Sequence, residues 1–187
     1  MIGTLTTGGL TTARIEIRLA GAGGQGLVTA GRILAEAAIR SGKTATQTQV
    51  YGPQSRGGAS RSDVVIADAA IDYPLADHVD VLVALSPAAC ERYEPELSPE
   101  GVLLADAHAT SAGTRPGHTV AIVDAARSIA GNPVVAGVVA LGALQALTGV
   151  VDRAELEASL EARVASRHRA MNIAALAAGI RLIEEPR

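Results

Sequence analysis

Gly21, Gly23 and Gly26, within "LAGAGGQGLVTAGRILAEA" at residues 19–37, form a G-x-G-x-x-G turn between an apolar run and a helical repeat. Placed there, backbone amides and a helix N-terminus can meet an anion, a phosphate above all. A dinucleotide site adds a carboxylate about 20 residues further on to take the ribose hydroxyls. Between Glu36 and Asp63 this chain carries no carboxylate, but Lys43, Gln47, Gln49, Tyr51, Gln54, Arg56 and Arg61. The turn asks for an anion without a ribose clamp. Two other readings stay open: glycines that only permit a tight turn and close helix approach, and an NADP site in which Arg56 meets the 2′-phosphate.

A second loop, "YGPQSRGGASR", sets Gly52, Gly57 and Gly58 beside Arg56. Its backbone can approach a partner closely while a guanidinium forks onto phosphate or carboxylate. The two loops, at strand ends, are expected to face one crevice.

The remaining reactive groups read as structural. His78, His108, His118 and His168 are too scattered for metal-ligand spacing. Asp106, at a strand end, reads as a turn cap, and Cys90, in an amphipathic helix beside Glu91, as a structural thiol. "RVASRHRA" is a solvated helix start, and the chain has no glycine-serine elbow or Ser-His-Asp arrangement.

Positioning these loops requires strands alternating with helices. Strands are expected at Arg14–Ala20, Thr44–Val50, Arg61–Ala67, in "VDVLVALS", in "GVLLAD" and in "HTVAIVDA". Helices are expected at Leu27–Arg40, from Pro87 to about Leu97, and from Asn132-Pro133 to a stop at Gly149. Another starts at Asp152 and Glu155, which resemble a capping box. The last runs from His168 to about Glu184, with Ile173, Leu176, Ala177, Ile180 and Ile183 on one face. The pattern predicts a three-layer α/β/α Rossmann-like domain with a mostly parallel sheet. Residues 1–13 are expected to form a disordered leader and 14–187 a single domain.

Composition narrows the function. The 187 residues include no Phe or Trp and three Tyr, so small aliphatic side chains must build the core and favour close packing. A net charge of -3 gives no general pull toward nucleic acid or anionic membrane. The run Pro133–Leu147 falls short of the roughly 20 residues that span a bilayer. A single cysteine excludes internal disulfides and a self-held iron–sulfur cluster, which takes four thiolates, and points to the cytoplasm.

Taken together, "GAGGQG" at 21–26, the Leu-Ala-Glu-Ala helix at 34–37, "YGPQSRGG" at 51–58, "SRSDVVIAD" leading to "IDYP" at 71–74, and "NPVVAGVVALGAL" at 132–144 resemble the gamma subunit of the 2-oxoacid:ferredoxin oxidoreductases. The likeness runs from about Ile15 to Gly179, while the Thr/Gly leader and alanine-rich helices depart from many relatives. It implies a non-redox-centre subunit of an enzyme that oxidatively decarboxylates a 2-oxoacid, forms acyl-coenzyme A and reduces ferredoxin. Thiamine diphosphate, magnesium and 4Fe-4S clusters then belong to partners: thiamine-bearing alpha and beta subunits and a ferredoxin-like subunit or ferredoxin. The resemblance assigns Gly21, Gly23, Gly24, Gln25, Gly26, Tyr51, Gly52, Pro53, Arg56, Gly57 and Gly58 to coenzyme A contact and the subunit interface, with no catalytic proton transfer and no metal ligand. Alternatives are a stand-alone NADP-binding reductase domain and a noncatalytic assembly scaffold, and apolar small-residue surfaces also admit a homodimer.

Overall fold

The computed structural model describes residues 13–51, 59–111 and 113–185. Residues 1–12 of the expected leader and 52–58 of the second loop lie outside that set. Six strands order as β2-β3-β1-β4-β5-β6 in one sheet. They are β1 (Arg14–Ala22), β2 (Thr44–Tyr51), β3 (Ala59–Ala67), β4 (Val79–Ala84), β5 (Leu97–Asp106) and β6 (His118–Val120). Only β3 runs antiparallel to its neighbours, forming a hairpin with β2, while β1, β4, β5 and β6 are parallel. The mostly parallel α/β architecture is therefore found.

The helices are α1 (Leu27–Arg40), α2 (Pro87–Tyr93), α3 (Ile122–Ala130), α4 (Ala136–Thr148), α5 (Arg153–Arg163) and α6 (Ser166–Glu184). They divide unequally between the faces of the sheet. Alternation in β1 sends Ile15, Ile17 and Leu19 into a large core with α1, α3, α4, α5 and α6. Ala20 joins Leu82, Ala84, Leu103 and Ala105 against α2, which supplies Ala89, Cys90 and Tyr93. Complete burial of each such Leu or Ile contributes about 1.5–3 kcal/mol. With no Phe or Trp available, the larger core closes by direct backbone approach. A Cβ on Gly179 would overlap the Val139 carbonyl oxygen, and one on Gly142 the Leu176 carbonyl oxygen, so α4 and α6 cross at two glycines.

Four expectations need correction. "HTVAIVDA" is strand only to Val120, and Ile122–Ala130 is α3. Its first turn is capped from 17 positions away: the buried Asp106 carboxylate accepts from Val123 N at 2.7 Å. Gly131, at φ 72°, closes it. Asp152 does precede α5, but its side chain makes no capping hydrogen bond. On α6 the buried stripe runs through Asn172, Ala175, Leu176, Gly179 and Ile180, leaving Ile173 exposed, because the Gly179 crossing sets the helix rotation. Pro87 opens α2 as expected, but a 3-10 turn at Glu94–Glu96 intervenes and Leu97 already belongs to β5.

Candidate functional site

Strand register brings the two loops' flanks to one rim. Gly21 and Ala22, where β1 ends, lie opposite Ser60 and Ala59, where β3 begins, and Tyr51, where β2 ends, pairs with Ser60. Parallel β4 and β5 direct their carboxyl ends to the same rim. Among the described residues this is the edge where a parallel sheet meets ligands.

The glycine turn divides into an inward and an outward half. The Gln25 side chain is 6% exposed. Its Oε1 accepts from Ala22 N at 2.7 Å, and its Nε2 donates to Leu85 O at 3.1 Å. Gly21 leaves the room for this, since a Cβ there would overlap Gln25 Oε1. Gly26, at φ +76°, could not carry a Cβ without meeting Val134 O at 2.6 Å. Gly137 N donates to Gln25 O at 2.8 Å, so the lead-in to α4 is seated on the turn. Asn132 fixes that lead-in by accepting from Val134 N at 2.9 Å.

Gly23 and Gly24 face outward. Both are exposed, nothing lies within 4 Å of a Cβ built on either, and Gly24 is at φ +88°. Behind them, α1 begins with neither a side-chain cap nor an acidic residue in its first turn. Its first intrahelical bond, Ala30 N to Gly26 O at 2.9 Å, leaves the preceding amides without helical partners. Such a terminus suits a phosphate.

Helices α1 and α2 follow β1 and β4 onto opposite faces, so the crevice between those two strand ends is the topological switch point where a dinucleotide would lie. Gln25 fills it. The missing carboxylate speaks against NAD alone, and it is this plug that disfavours the NADP reading.

The other candidates sort as follows. Asp106 holds His108 N at 2.9 Å as well as α3, so it is a structural cap. His108 stands exposed at the same rim with Nε2 2.9 Å from Asp124 Oδ2, and that hydrogen bond raises its pKa. Cys90 is buried, and burial together with Glu94 pushes its thiol up, as befits a structural cysteine. No group of three or more His, Cys, Asp or Glu among the described residues could hold a metal ion. With one cysteine in the chain, the donor set does not fit an iron–sulfur cluster. No described helix is long and apolar enough to cross a membrane.

Of the predicted contact residues, Gly23 and Gly24 present open backbone, Gly21, Gln25 and Gly26 hold the turn, and Tyr51 ends β2 at the rim. Gly52, Pro53, Arg56, Gly57 and Gly58 lie outside the described residues. Unforeseen are the closure of Val134 and Gly137 onto the turn and a buried ion pair behind the rim. There Arg18 donates from Nε and Nη2 to the two Asp63 carboxylate oxygens at 2.9 and 3.0 Å, and Nη1 reaches Glu96. Its guanidinium also lies 5.2 Å from the Tyr93 ring centroid. A charged residue at an inward position of each of two strands was the available signal.

The fold and the turn thus define a Rossmann-like α/β domain that turns an open glycine bend outward at one sheet rim, with Gln25 seated between the ends of β1 and β4. Residues 16–182 match the family model for pyruvate ferredoxin/flavodoxin oxidoreductase, and the chain belongs to that family. It is 38% identical to the 2-oxoglutarate synthase subunit KorC of Methanocaldococcus jannaschii, over 92% of this chain and 95% of that one. The keto/oxoacid ferredoxin oxidoreductase gamma subunit of Geobacter sulfurreducens superposes with TM-score 0.79 at 43% identity, covering 93% and 97% of the two chains. The 2-oxoglutarate:ferredoxin oxidoreductase of Magnetococcus marinus, solved with 2-oxoglutarate, coenzyme A and succinyl-CoA, shares the fold with TM-score 0.82 at 22% identity. This chain covers 94% of its own length there but 32% of that longer chain.

Proposed function

We propose that the chain is the gamma subunit of a multi-subunit 2-oxoacid:ferredoxin oxidoreductase, and that its glycine turn receives a phosphate of coenzyme A at the subunit interface. The family match from 16 to 182 carries the first part. The exposed Gly23–Gly24 bend ahead of an uncapped α1 supports the second. Near-complete coverage of a 2-oxoglutarate synthase subunit favours 2-oxoglutarate as the 2-oxoacid. Thiamine diphosphate, held by partner subunits in this reading, supplies the carbanion-stabilising chemistry of decarboxylation. The iron–sulfur clusters also sit on other chains, and the assembly belongs in the cytoplasm.

This chain's own part is binding and orientation. Amides at Gly23, Gly24 and the first turn of α1 take the anion, Gln25 keeps the bend in shape from beneath, and Arg56 contributes a guanidinium. No proton transfer is assigned to it. Arg56→Ala in the assembled complex is expected to raise the KM for coenzyme A about tenfold, the loss of one charge-assisted contact. The KM for the 2-oxoacid should stay unchanged. An assembled complex with wild-type coenzyme A kinetics would remove the role given to Arg56. If Arg56 and turn variants altered assembly alone, the scaffold alternative would replace the coenzyme A reading.

A further inference from the structure

The loop that follows β3 is tied to the sheet by side chains of the strands beneath it. It crosses the sheet face that α2 leaves uncovered, and four consecutive carbonyls turn down onto the strands. Arg14 Nη2 donates to Tyr73 O and to Leu75 O, both at 3.1 Å. Thr46 Oγ1 donates to Pro74 O at 3.2 Å, and Arg18 Nη2 to Ala76 O at 3.4 Å. At its far end His78 N donates to Glu16 Oε2 at 2.8 Å. Clamped in this way, the backbone displays its apolar side chains outward. Tyr73 is 48% exposed and Leu75 45%, with exposed Pro74 between them. A surface that holds apolar groups rigidly in water is organised for contact.

The charges around it define what it fits. Asp68, Asp72 and Asp77 are all exposed. Lys43 approaches Asp68 at 3.8 Å, whereas Asp72 and Asp77 have no cationic partner among the described residues. Arg14, the nearest guanidinium, is engaged by Glu16 at 2.9 Å and by the loop carbonyls. The patch is therefore an aromatic-aliphatic knob in an acidic ring. We propose that it docks into a partner subunit of the oxidoreductase through an apolar hollow edged by lysines or arginines. This rests on the gamma-subunit reading, and it places the contact away from the glycine turn. Arg14 and Ala67 mark the opposite end of the β1–β3 ladder from Gly21 and Ser60. At about 3.3 Å per residue the two ends are about 23 Å apart.

The test uses the purified complex, from which the gamma chain is dissociated and to which wild-type or variant chain is added back, with rebinding measured by interferometry. Tyr73→Ser/Leu75→Ser is expected to keep the melting temperature of the isolated chain and to weaken rebinding at least tenfold. Asp72→Asn/Asp77→Asn should weaken it less and flatten its dependence on salt. In complexes that do form, the KM for coenzyme A should match wild type. Rebinding of the apolar double variant at wild-type affinity would overturn the proposal. So would intact rebinding with loss of a dimer of the isolated chain, which would make a second copy the occupant. Failure of the wild-type chain to co-purify with thiamine- and iron–sulfur-bearing chains in the first place would instead refute the gamma-subunit reading, and the partner assigned here with it.

Discussion

Gln25 joins the carboxyl ends of two parallel strands: its Nε2 donates to Leu85 O at 3.1 Å beyond β4, while its Oε1 accepts from Ala22 N at the end of β1. A buried polar group deprived of its partner costs about 1–3 kcal/mol. Gln25→Ala strands both a carbonyl and an amide, so a loss of about 2–4 kcal/mol is expected in denaturant unfolding. Gln25→Glu keeps the acceptor but sets a carboxylate against Leu85 O. It should destabilise at neutral pH and recover on acidification, an outcome that a merely space-filling side chain would not give.

Gly23 and Gly26 should respond oppositely to alanine. Gly23 has open space at its Cβ position and no positive φ, so Gly23→Ala should leave stability within about 0.5 kcal/mol. If phosphate approaches the bend, that methyl raises the KM for coenzyme A. Gly26→Ala combines left-handed backbone with an encounter at Val134 O, and the backbone alone costs about 1–2 kcal/mol. Melting curves of the isolated chain separate the two.

Arg18→Met removes the guanidinium that faces Asp63, whose side chain is 3% exposed. Arg61, 3.3 Å from the same carboxylate, compensates only in part. Breaking one side of a buried pair typically costs about 3–5 kcal/mol. Arg18→Met/Asp63→Leu should recover much of that, which a double-mutant cycle in urea would reveal.

His108 is expected to titrate above the ordinary histidine value of about 6.5, because Asp124 and then Asp106 favour its charged form. Its folded pKa being raised, the associated stabilisation is full below the unfolded pKa and fades as pH rises through the folded one. Asp124→Asn should bring the NMR-observed titration back toward the free value.

How much of this was legible beforehand depends on range. Leu27, Ala30, Ile33, Leu34, Ala37 and Ala38 announce α1 by spacing, Asn132-Pro133 and Gly149 bracket the apolar helix, and each is a local signal. The "AIVDA" run misleads because its decisive cap, Asp106, lies on β5, and a short apolar stretch does not distinguish strand from helix. Gln25 looks like one more loop residue available to a ligand until Leu85 arrives beside it.

The sequence by itself determined the alternation of strands and helices, the two glycine bends with no acidic residue between Glu36 and Asp63, a single cysteine where an iron–sulfur cluster takes four, and the family likeness. All of these reside in residue type and near-neighbour spacing. Only the tertiary structure decided which glycines face outward, that Gln25 closes the switch-point crevice, that Arg18 and Asp63 meet in the interior, and that Tyr73 and Leu75 are held in water. Those outcomes depend on strand register and helix crossing, which join residues about 20 to 120 positions apart and leave no mark on either segment alone.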